Sequence, residues 1–274
     1  PALAPRLRER MEVVEAALAS HAVSRAPYVT EAAGHLLAAG GKRFRPLLVL
    51  LAAEVGEHPE NDDVVTAACV VELTHMGSLY HDDVMDEAAL RRGSDSANAR
   101  YDNLVAILTG DFLFARSSEL TARLGPEAVR IQAETFARLV EGQILETVRP
   151  APEQALEHHL EVVAGKTGSL IATSARYGGR FGGASPEVVA ALTAYGEIVG
   201  SAFQLSDDIL DIASDSVESG KTPGTDLREG VPTLPVIMAK ASTDPGDERL
   251  LELLAGDLTD DTLHAEALAL LRKH

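Results

Sequence analysis

Apolar residues recur at helical spacing along nearly the whole chain, and nowhere do they alternate in the two-residue rhythm of a half-buried strand. Such a chain must bury its apolar stripes helix against helix, so the expected fold is an all-α helical bundle. The spacing predicts helices over about 2–19, 29–39, 46–56, 61–86, 95–122, 126–147, 153–175, 186–213, 231–241, 247–255 and 259–272. Glycine- and proline-rich breaks such as GGKRFRP, RRGSDS, GGRFGGASPE and ESGKTPGTD separate them. Pro46, Pro126 and Pro186 suit first helical turns, where a missing N–H costs nothing. Ala and Leu dominate and Trp is absent, which favours aliphatic helix packing. No composition shift marks a linker, so 1–274 reads as a single domain.

Two of these helices end alike. The segment HDDVMD closes 61–86 and SDDILD closes 186–213. At 100° per residue, His75, Ser78, Asp82 and Asp86 form one narrow polar stripe, with Asp83 beside it. Around the rest of that helix lie Val64, Val65, Ala67, Ala68, Val70, Val71, Leu73, Met76 and Leu79. On the second helix Glu197, Ser201, Gln204, Asp208 and Asp211 share a stripe, with Asp207 at its edge.

Those carboxylates are costly where they stand. Like charges at i,i+4 destabilise a helix by about 0.2–0.5 kcal/mol. Near a C-terminus each also opposes the macrodipole by about 0.3–1 kcal/mol. No Lys or Arg lies three or four residues from Asp82, Asp83, Asp207 or Asp208. A hard divalent cation is the natural partner, and magnesium takes carboxylate oxygens while bridging to phosphates. One DDxxD in an acidic protein is more often a solvated helix end. Two, each closing a long apolar helix, read as facing acidic surfaces across a cavity.

Basic residues are few, 24 against 42 acidic ones, yet they gather where a phosphate would want them. Lys42, Arg43 and Arg45 precede a helix start, a position suited to anions. Arg91 and Arg92 follow the first acidic motif, and guanidinium groups grip phosphate in two-pronged fashion. Lys166 and Thr167 sit inside an otherwise apolar helix, and Lys221 lies in the loop after the second motif. Each has a bland reading as a surface or snorkelling cation. Together with the acidic stripes they describe a diphosphate-binding cavity.

Composition excludes other classes. A net charge of -18 argues against nucleic-acid binding and against docking on anionic lipid. Cys69 is the only cysteine, so no internal disulfide forms; within the apolar run TAACVVEL it reads as a buried, inert thiol, which fits a cytoplasmic location. No transmembrane segment is expected, since no uninterrupted apolar stretch reaches bilayer length.

The segments GGKRFRP (40–46), ELTHMGSLYHDDVMDEAALRRG (72–93), GKTGSLIATSARYGG (165–179), FQLSDDILD (203–211) and GKTPGTDLREGVPTLP (220–235) resemble, in order, the motifs of the trans-type isoprenyl diphosphate synthases, the polyprenyl synthetase family. The resemblance implies an isoprenoid synthase-type bundle around a central apolar cavity, usually a homodimer, joining isopentenyl diphosphate to an allylic diphosphate. By that resemblance Asp82, Asp83, Asp86, Asp207, Asp208 and Asp211 hold Mg2+, three ions per active site. Arg91, Lys166, Thr167, Gln204 and Lys221 would then meet the allylic diphosphate, and Lys42, Arg45, His75 and Arg92 the isopentenyl diphosphate. Arg43 matches the motif without a defined role. Two departures stand out: Val231 occupies a place where the family often has Lys, and family members usually continue with further C-terminal helices.

Residues ahead of the first acidic motif, Gly77, Ser78, Thr74 and Val71, would line the cavity toward its floor, with Tyr80 nearer the metal end. In the family a bulky aromatic four or five positions before the motif closes the pocket early. Gly77 and Ser78 are small, so a medium or long product beyond farnesyl is expected, and Gly77→Phe should shorten it. A terpene cyclase would mix Asn, Ser or Thr with Glu at its second metal site, which SDDILD does not. A di-iron bundle needs two Glu-x-x-His pairs, and only Glu72 with His75 is found. A non-catalytic subunit of a heteromer would not need the full set of acidic and basic residues.

Overall fold

The computed structural model of the protein describes residues 3–214 and 223–274. Its helices are α1 (Leu3–His21), α2 (Pro27–Ala38), α3 (Phe44–Ala53), α4 (Asp62–Met85), α5 (Ala97–Tyr101), α6 (Asn103–Arg123), α7 (Pro126–Glu146), α8 (Ala155–Val163), α9 (Ser169–Phe181), α10 (Pro186–Ala213), α11 (Thr225–Glu229), α12 (Leu234–Lys240), α13 (Glu248–Ala255) and α14 (Asp261–Leu271). Two-residue strands β1 (Leu90–Arg91) and β2 (Ser94–Asp95) pair antiparallel. The all-α expectation holds.

The chain divides into two compact units. One comprises Pro1–Ala137 with Leu170–Glu197, the other Arg138–Ser169 with Ile198–His274. In the first unit α4 is the central element. It is apolar all round and buried along most of its length, from Val64 through Leu73 and Met76 to Tyr80. Asn61 caps it by accepting from the Asp63 N–H, and Asp62 and Asp63 favour its positive end. The Tyr80 phenol donates to the Ala32 carbonyl and so ties α4 to α2. Cys69 is fully buried, and desolvation pushes its thiol up to about 12, as an inert core residue requires.

Glycine governs how closely these helices approach. A Cβ on Gly178 of α9 would lie 2.2 Å from the Val49 carbonyl oxygen of α3, and one on Gly182 2.6 Å from that of Ala53. Backbone oxygens cannot retreat as side chains can. Gly178→Ala is therefore expected to cost about 2–3 kcal/mol. Gly34→Ala in α2, where nothing lies within 4 Å of the new methyl, should instead stabilise by about 0.5–1 kcal/mol. Urea unfolding of the two variants measures the contrast, and equal effects would contradict it.

The second unit packs α11–α14 on the end of α10. Its core is Ile212, Leu227, Val236, Ala239, Leu250, Leu253, Leu254, Leu258, Ala267 and Leu271. Buried His264 bonds the Gly224 carbonyl at 2.7 Å.

Four expectations are corrected. The helix expected over 95–122 breaks at Asp102, whose φ of 117° ends α5 while its carboxylate caps α6 by accepting from Val105 N–H. The helix expected over 153–175 is four pieces: a 3-10 turn (Pro152–Gln154), α8, a π-helix (Ala164–Gly168) and α9. The hairpin of β1 and β2 and the short α11 fall in segments read as breaks. Finally, α10 is long and apolar enough, by length and composition, to cross a membrane, the one such helix among the described residues.

Candidate active site

The first acidic motif occupies the last turn of α4. Asp82 is half-buried, Asp83 fully buried, and Asp86 exposed at the C-cap. After the helix the chain reverses through Glu87, Arg92 and Gly93, all with positive φ. Glu87 turns the chain out of the helix ahead of β1, and Arg92 and Gly93 make the turn between β1 and β2; Nε and Nη2 of Arg91 both reach Asp83 Oδ1 at 2.6 Å. Burial pushes the Asp83 carboxyl above the usual carboxylate range, and Arg91 opposes the shift. Asp83 Oδ2 is buried without a hydrogen-bond partner. No Lys or Arg stands three or four residues from this motif, but Arg91 relieves Asp83 from eight residues away, through the turn rather than along the helix.

The basic segment after α2 splits into an inward and an outward part. Arg43, in the left-handed conformation at φ 47°, turns inward with its side chain 4% exposed. It donates to Glu15 at 2.6 Å, to Glu72 at 3.1 Å and to the Leu37 carbonyl at 3.2 Å. Arg43 thereby ties α1, α2 and α4 together. Arg92 donates to the Leu36 carbonyl at 3.1 Å and to the Gly40 carbonyl, so its guanidinium fixes the turn at Gly40. Gly41, at φ 147°, lies under it; a Cβ there would come within 2.9 Å of Arg92 Cζ. Lys42 is exposed.

Arg45 and His75 complete this cluster. Burial pushes the Arg45 guanidinium down, opposed by Glu72 and reinforced by Arg92, and its Nε is buried without a partner. Burial together with Arg45, Arg92, Arg91 and Arg43 holds the His75 imidazole well below its ordinary value, so it is neutral at pH 7. Glu72, 2% exposed, is the carboxylate that opposes both Arg45 and Arg92, while Glu15 pairs with Arg43 and Asp83 with Arg91. A buried donor left open among arginines suits an anion.

The residues ahead of the motif are packed. Thr74 bonds Ser117 at 2.8 Å and accepts from Gln132 at 2.7 Å. Val71 is fully buried. Gly77 sits where α4 crosses α6, and a Cβ there would meet the Phe114 ring at 2.9 Å and the Gly110 oxygen at 3.1 Å. The expectation for Gly77→Phe is corrected accordingly. The small residue marks a helix crossing, and a phenylalanine would disrupt packing before it could shorten a product. Ser78 is half-buried and bonds the His75 carbonyl at 2.8 Å. Tyr80 is core. A groove of about 860 Å³ in the same unit is lined by Arg176, Arg180, Phe181, Val189, Thr193 and Glu197 among others; of these only Glu197 belongs to the polar stripe that continues to the second acidic motif.

In the second unit the π-helix brings the other predicted residues together. It passes α7 at Gly142, where a Cβ would lie 2.5 Å from the Lys166 backbone nitrogen. One turn further along α7, Glu146 accepts from Lys166 Nζ at 2.6 Å. The Thr167 hydroxyl donates to Gln204 Oε1 at 3.0 Å, and the Gln204 amide donates to Asp208 Oδ1 at 3.3 Å. Asp208 Oδ2 accepts from Leu234 N–H at 3.2 Å and meets His159 Nε2 at 2.9 Å. Burial pushes the Asp208 carboxyl up, but the donors from His159, Leu234 and Gln204 outweigh it and hold it below the usual range. Asp211 accepts from the N–H groups of Thr225 at 3.2 Å and Asp226 at 3.3 Å, and Asp207 is exposed. Lys221 lies outside the described residues. Glu15, Glu146 and His159 were not singled out from sequence; His159 stands seven residues before Lys166, a spacing too common to mark it.

The carboxylates fit a divalent cation of a particular kind. Among the described residues no three His, Cys, Asp or Glu side chains form a cage of their own. The buried, unpartnered Asp83 oxygen and the exposed Asp86 and Asp207 suit a hard ion completed by water and diphosphate oxygens.

Solved structures with this fold include a geranylgeranyl pyrophosphate synthase from Corynebacterium glutamicum complexed with calcium and isoprenyl diphosphate. It is 47% identical, with a TM-score of 0.89, and the match covers 100% of this chain and 83% of that one. A decaprenyl diphosphate synthase from Rhodobacter capsulatus is 39% identical with a TM-score of 0.88, over 99% and 85% of the two chains. The class is that of the all-α isoprenyl diphosphate synthases. Nonaprenyl diphosphate synthase of Mycobacterium tuberculosis is 55% identical over 240 residues, 87% of this chain and 71% of that protein. The pattern of the polyprenyl synthetase family matches residues 26–271, and the chain belongs to that family as a transferase of prenyl groups.

Proposed function

We propose that the chain condenses isopentenyl diphosphate with an allylic diphosphate, head to tail, to give a polyprenyl diphosphate longer than farnesyl. The observation that carries this reading is the cluster of Arg45, Arg92 and His75 around Glu72, with Arg45 Nε buried and unpartnered. Family membership and relatives named for nonaprenyl and decaprenyl products support the chemistry and the product class.

Lys42, Arg45, His75 and Arg92 hold isopentenyl diphosphate. Arg91, Lys166, Thr167, Gln204 and Lys221 hold the allylic diphosphate. Asp82, Asp83, Asp86, Asp207, Asp208 and Asp211 would hold magnesium, three ions by the family resemblance, which would neutralise charge on the departing diphosphate. The allylic C–O bond breaks and its electron pair leaves with that diphosphate, a charge the arginines and lysines stabilise. The double bond of isopentenyl diphosphate then forms the new C–C bond, and loss of a proton restores an alkene. The released diphosphate accepts that proton, so no side chain must act as base. Apolar walls keep out water, which would quench the cation. The chain works as one prenyltransferase domain in the cytoplasm, and as a homodimer, which the family resemblance implies.

Incubation with isopentenyl diphosphate, magnesium and each allylic primer in turn, read by mass spectrometry, tests the reading. Polyprenyl diphosphates beyond farnesyl are expected, lost on chelation of the metal. No product from any primer would reject it. Ser78 is the position at which product length can be probed, because it is not packed as Gly77 is. Ser78→Phe should shorten the product, and an unaltered distribution would reject its part in chain length.

A further inference from the structure

We infer that His159 is a positioning residue of the second acidic motif, holding Asp208 so that only its Oδ1 can turn to a cation. The inference rests on the function proposed above and adds a residue to it.

An ionised carboxylate only accepts hydrogen bonds, so the imidazole at 2.9 Å from Asp208 Oδ2 donates through Nε2–H. The same oxygen also accepts from the Leu234 N–H at 3.2 Å. With two donors, both lone pairs of Oδ2 are engaged. On Oδ1 the Gln204 amide at 3.3 Å takes one lone pair, leaving one open. Asp208 therefore offers a cation a single direction of approach, through Oδ1. The side chains of His159 and Asp208 are 13% and 3% exposed, so water competes little for these bonds.

The arrangement is built by one stretch of helix. His159 lies on α8, and the π-helix that follows carries Thr167, whose hydroxyl reaches the same carboxylate through Gln204. Asp208 is thus gripped twice from 159–167, directly at Oδ2 and by relay at Oδ1. Donors behind a ligating group fix its orientation, and their loss typically weakens metal binding about 10–100-fold.

The test uses the full chain with magnesium and inorganic diphosphate, whose joint binding is measured by calorimetry, alongside steady-state kinetics. Three variants serve: His159→Ala, His159→Phe, which fills the volume without a donor, and His159→Gln, whose amide N–H can replace Nε2–H. The expected result is about tenfold weaker magnesium-dependent diphosphate binding in His159→Ala and His159→Phe. The magnesium concentration for half-maximal rate should rise in parallel, while KM for isopentenyl diphosphate stays within about twofold. His159→Gln should recover most of the binding. Should His159→Ala not fold, the contrast between Phe and Gln carries the test. Wild-type binding in His159→Phe, or equal losses in Phe and Gln, would overturn the inference. If the wild-type protein itself binds no magnesium diphosphate, the function proposed above fails instead.

Discussion

Asp207→Ala is expected to lower kcat by about a thousandfold or more, with Asp82→Ala close behind. A single preorganised charge-stabilising group in an active site is commonly worth 10²–10³ in rate. A carboxylate that helps hold a cation on the leaving group carries more, because the cation's contribution goes with it. Stability should move the other way or not at all. Asp207 is exposed, and substitutions at exposed sites usually stay within about 0.5 kcal/mol. Asp207 and Asp211 stand four residues apart on α10, so removal of Asp207 relieves like-charge repulsion worth about 0.2–0.5 kcal/mol. Catalytic collapse in a protein that melts at or above the wild-type temperature is the signature of a residue kept for chemistry. Near-normal turnover in either variant would remove the metal-binding assignment.

Glu72→Leu should have the largest effect on stability, a loss of about 3–5 kcal/mol. Breaking a buried ion pair by deleting one partner leaves the other charge desolvated and uncompensated. Glu72 and Arg43 are 2% and 4% exposed, and Glu72 also opposes the charges of Arg45 and Arg92. Glu15, 46% exposed, remains to Arg43, which keeps the loss toward the lower end of that range. Combining Glu72→Leu with Arg43→Leu should cost less than the sum of the two single changes, by at least about 1 kcal/mol, since contacting residues do not act independently. Chemical denaturation of the three variants measures this. A single-variant cost under about 1 kcal/mol would mean that the arginines have another counter-ion.

The contrast between these two aspects of the site shows what sequence pattern can convey. Helix-borne features were legible. The end of α4 lies within a residue of its expected place, α10 spans 186–213 as expected, and both DDxxD motifs close their helices. Thr167, Gln204 and Asp208 were expected near one another and are joined in a hydrogen-bonded row. What pattern could not convey depends on turns and tertiary approach. Arg91 reaches Asp83 through the turn after α4, where Glu87 takes a positive φ, and not along the helix. A search at i±3 and i±4 cannot see such a partner. Arg43 belongs to a basic run, and nothing in the run says that one of its cations turns inward to Glu15 and Glu72.

Small residues carry the same ambiguity. Gly77 reads equally as room for a growing chain or as permission for two helices to touch, and the neighbouring α6 backbone decides for the second. The π-helix at Ala164–Gly168 leaves no mark in a periodicity that reads 153–175 as one helix, yet the approach of Gly142 to Lys166 sets Lys166 beside Glu146. His159 is the sharpest case. Its hydrogen bond to Asp208 joins residues 49 positions apart, and no local spacing predicts it.

The central claim is that both acidic motifs act, through divalent cations, on one allylic diphosphate. Crystals grown with manganese and an unreactive thio analogue of an allylic diphosphate test it most directly, because manganese can be located by its anomalous scattering. The expected result is manganese bonded to Asp82 and Asp86 and manganese bonded to Asp207, each sharing oxygens of the same diphosphate. Manganese at one motif alone, or a diphosphate bound with no metal at either, would contradict it.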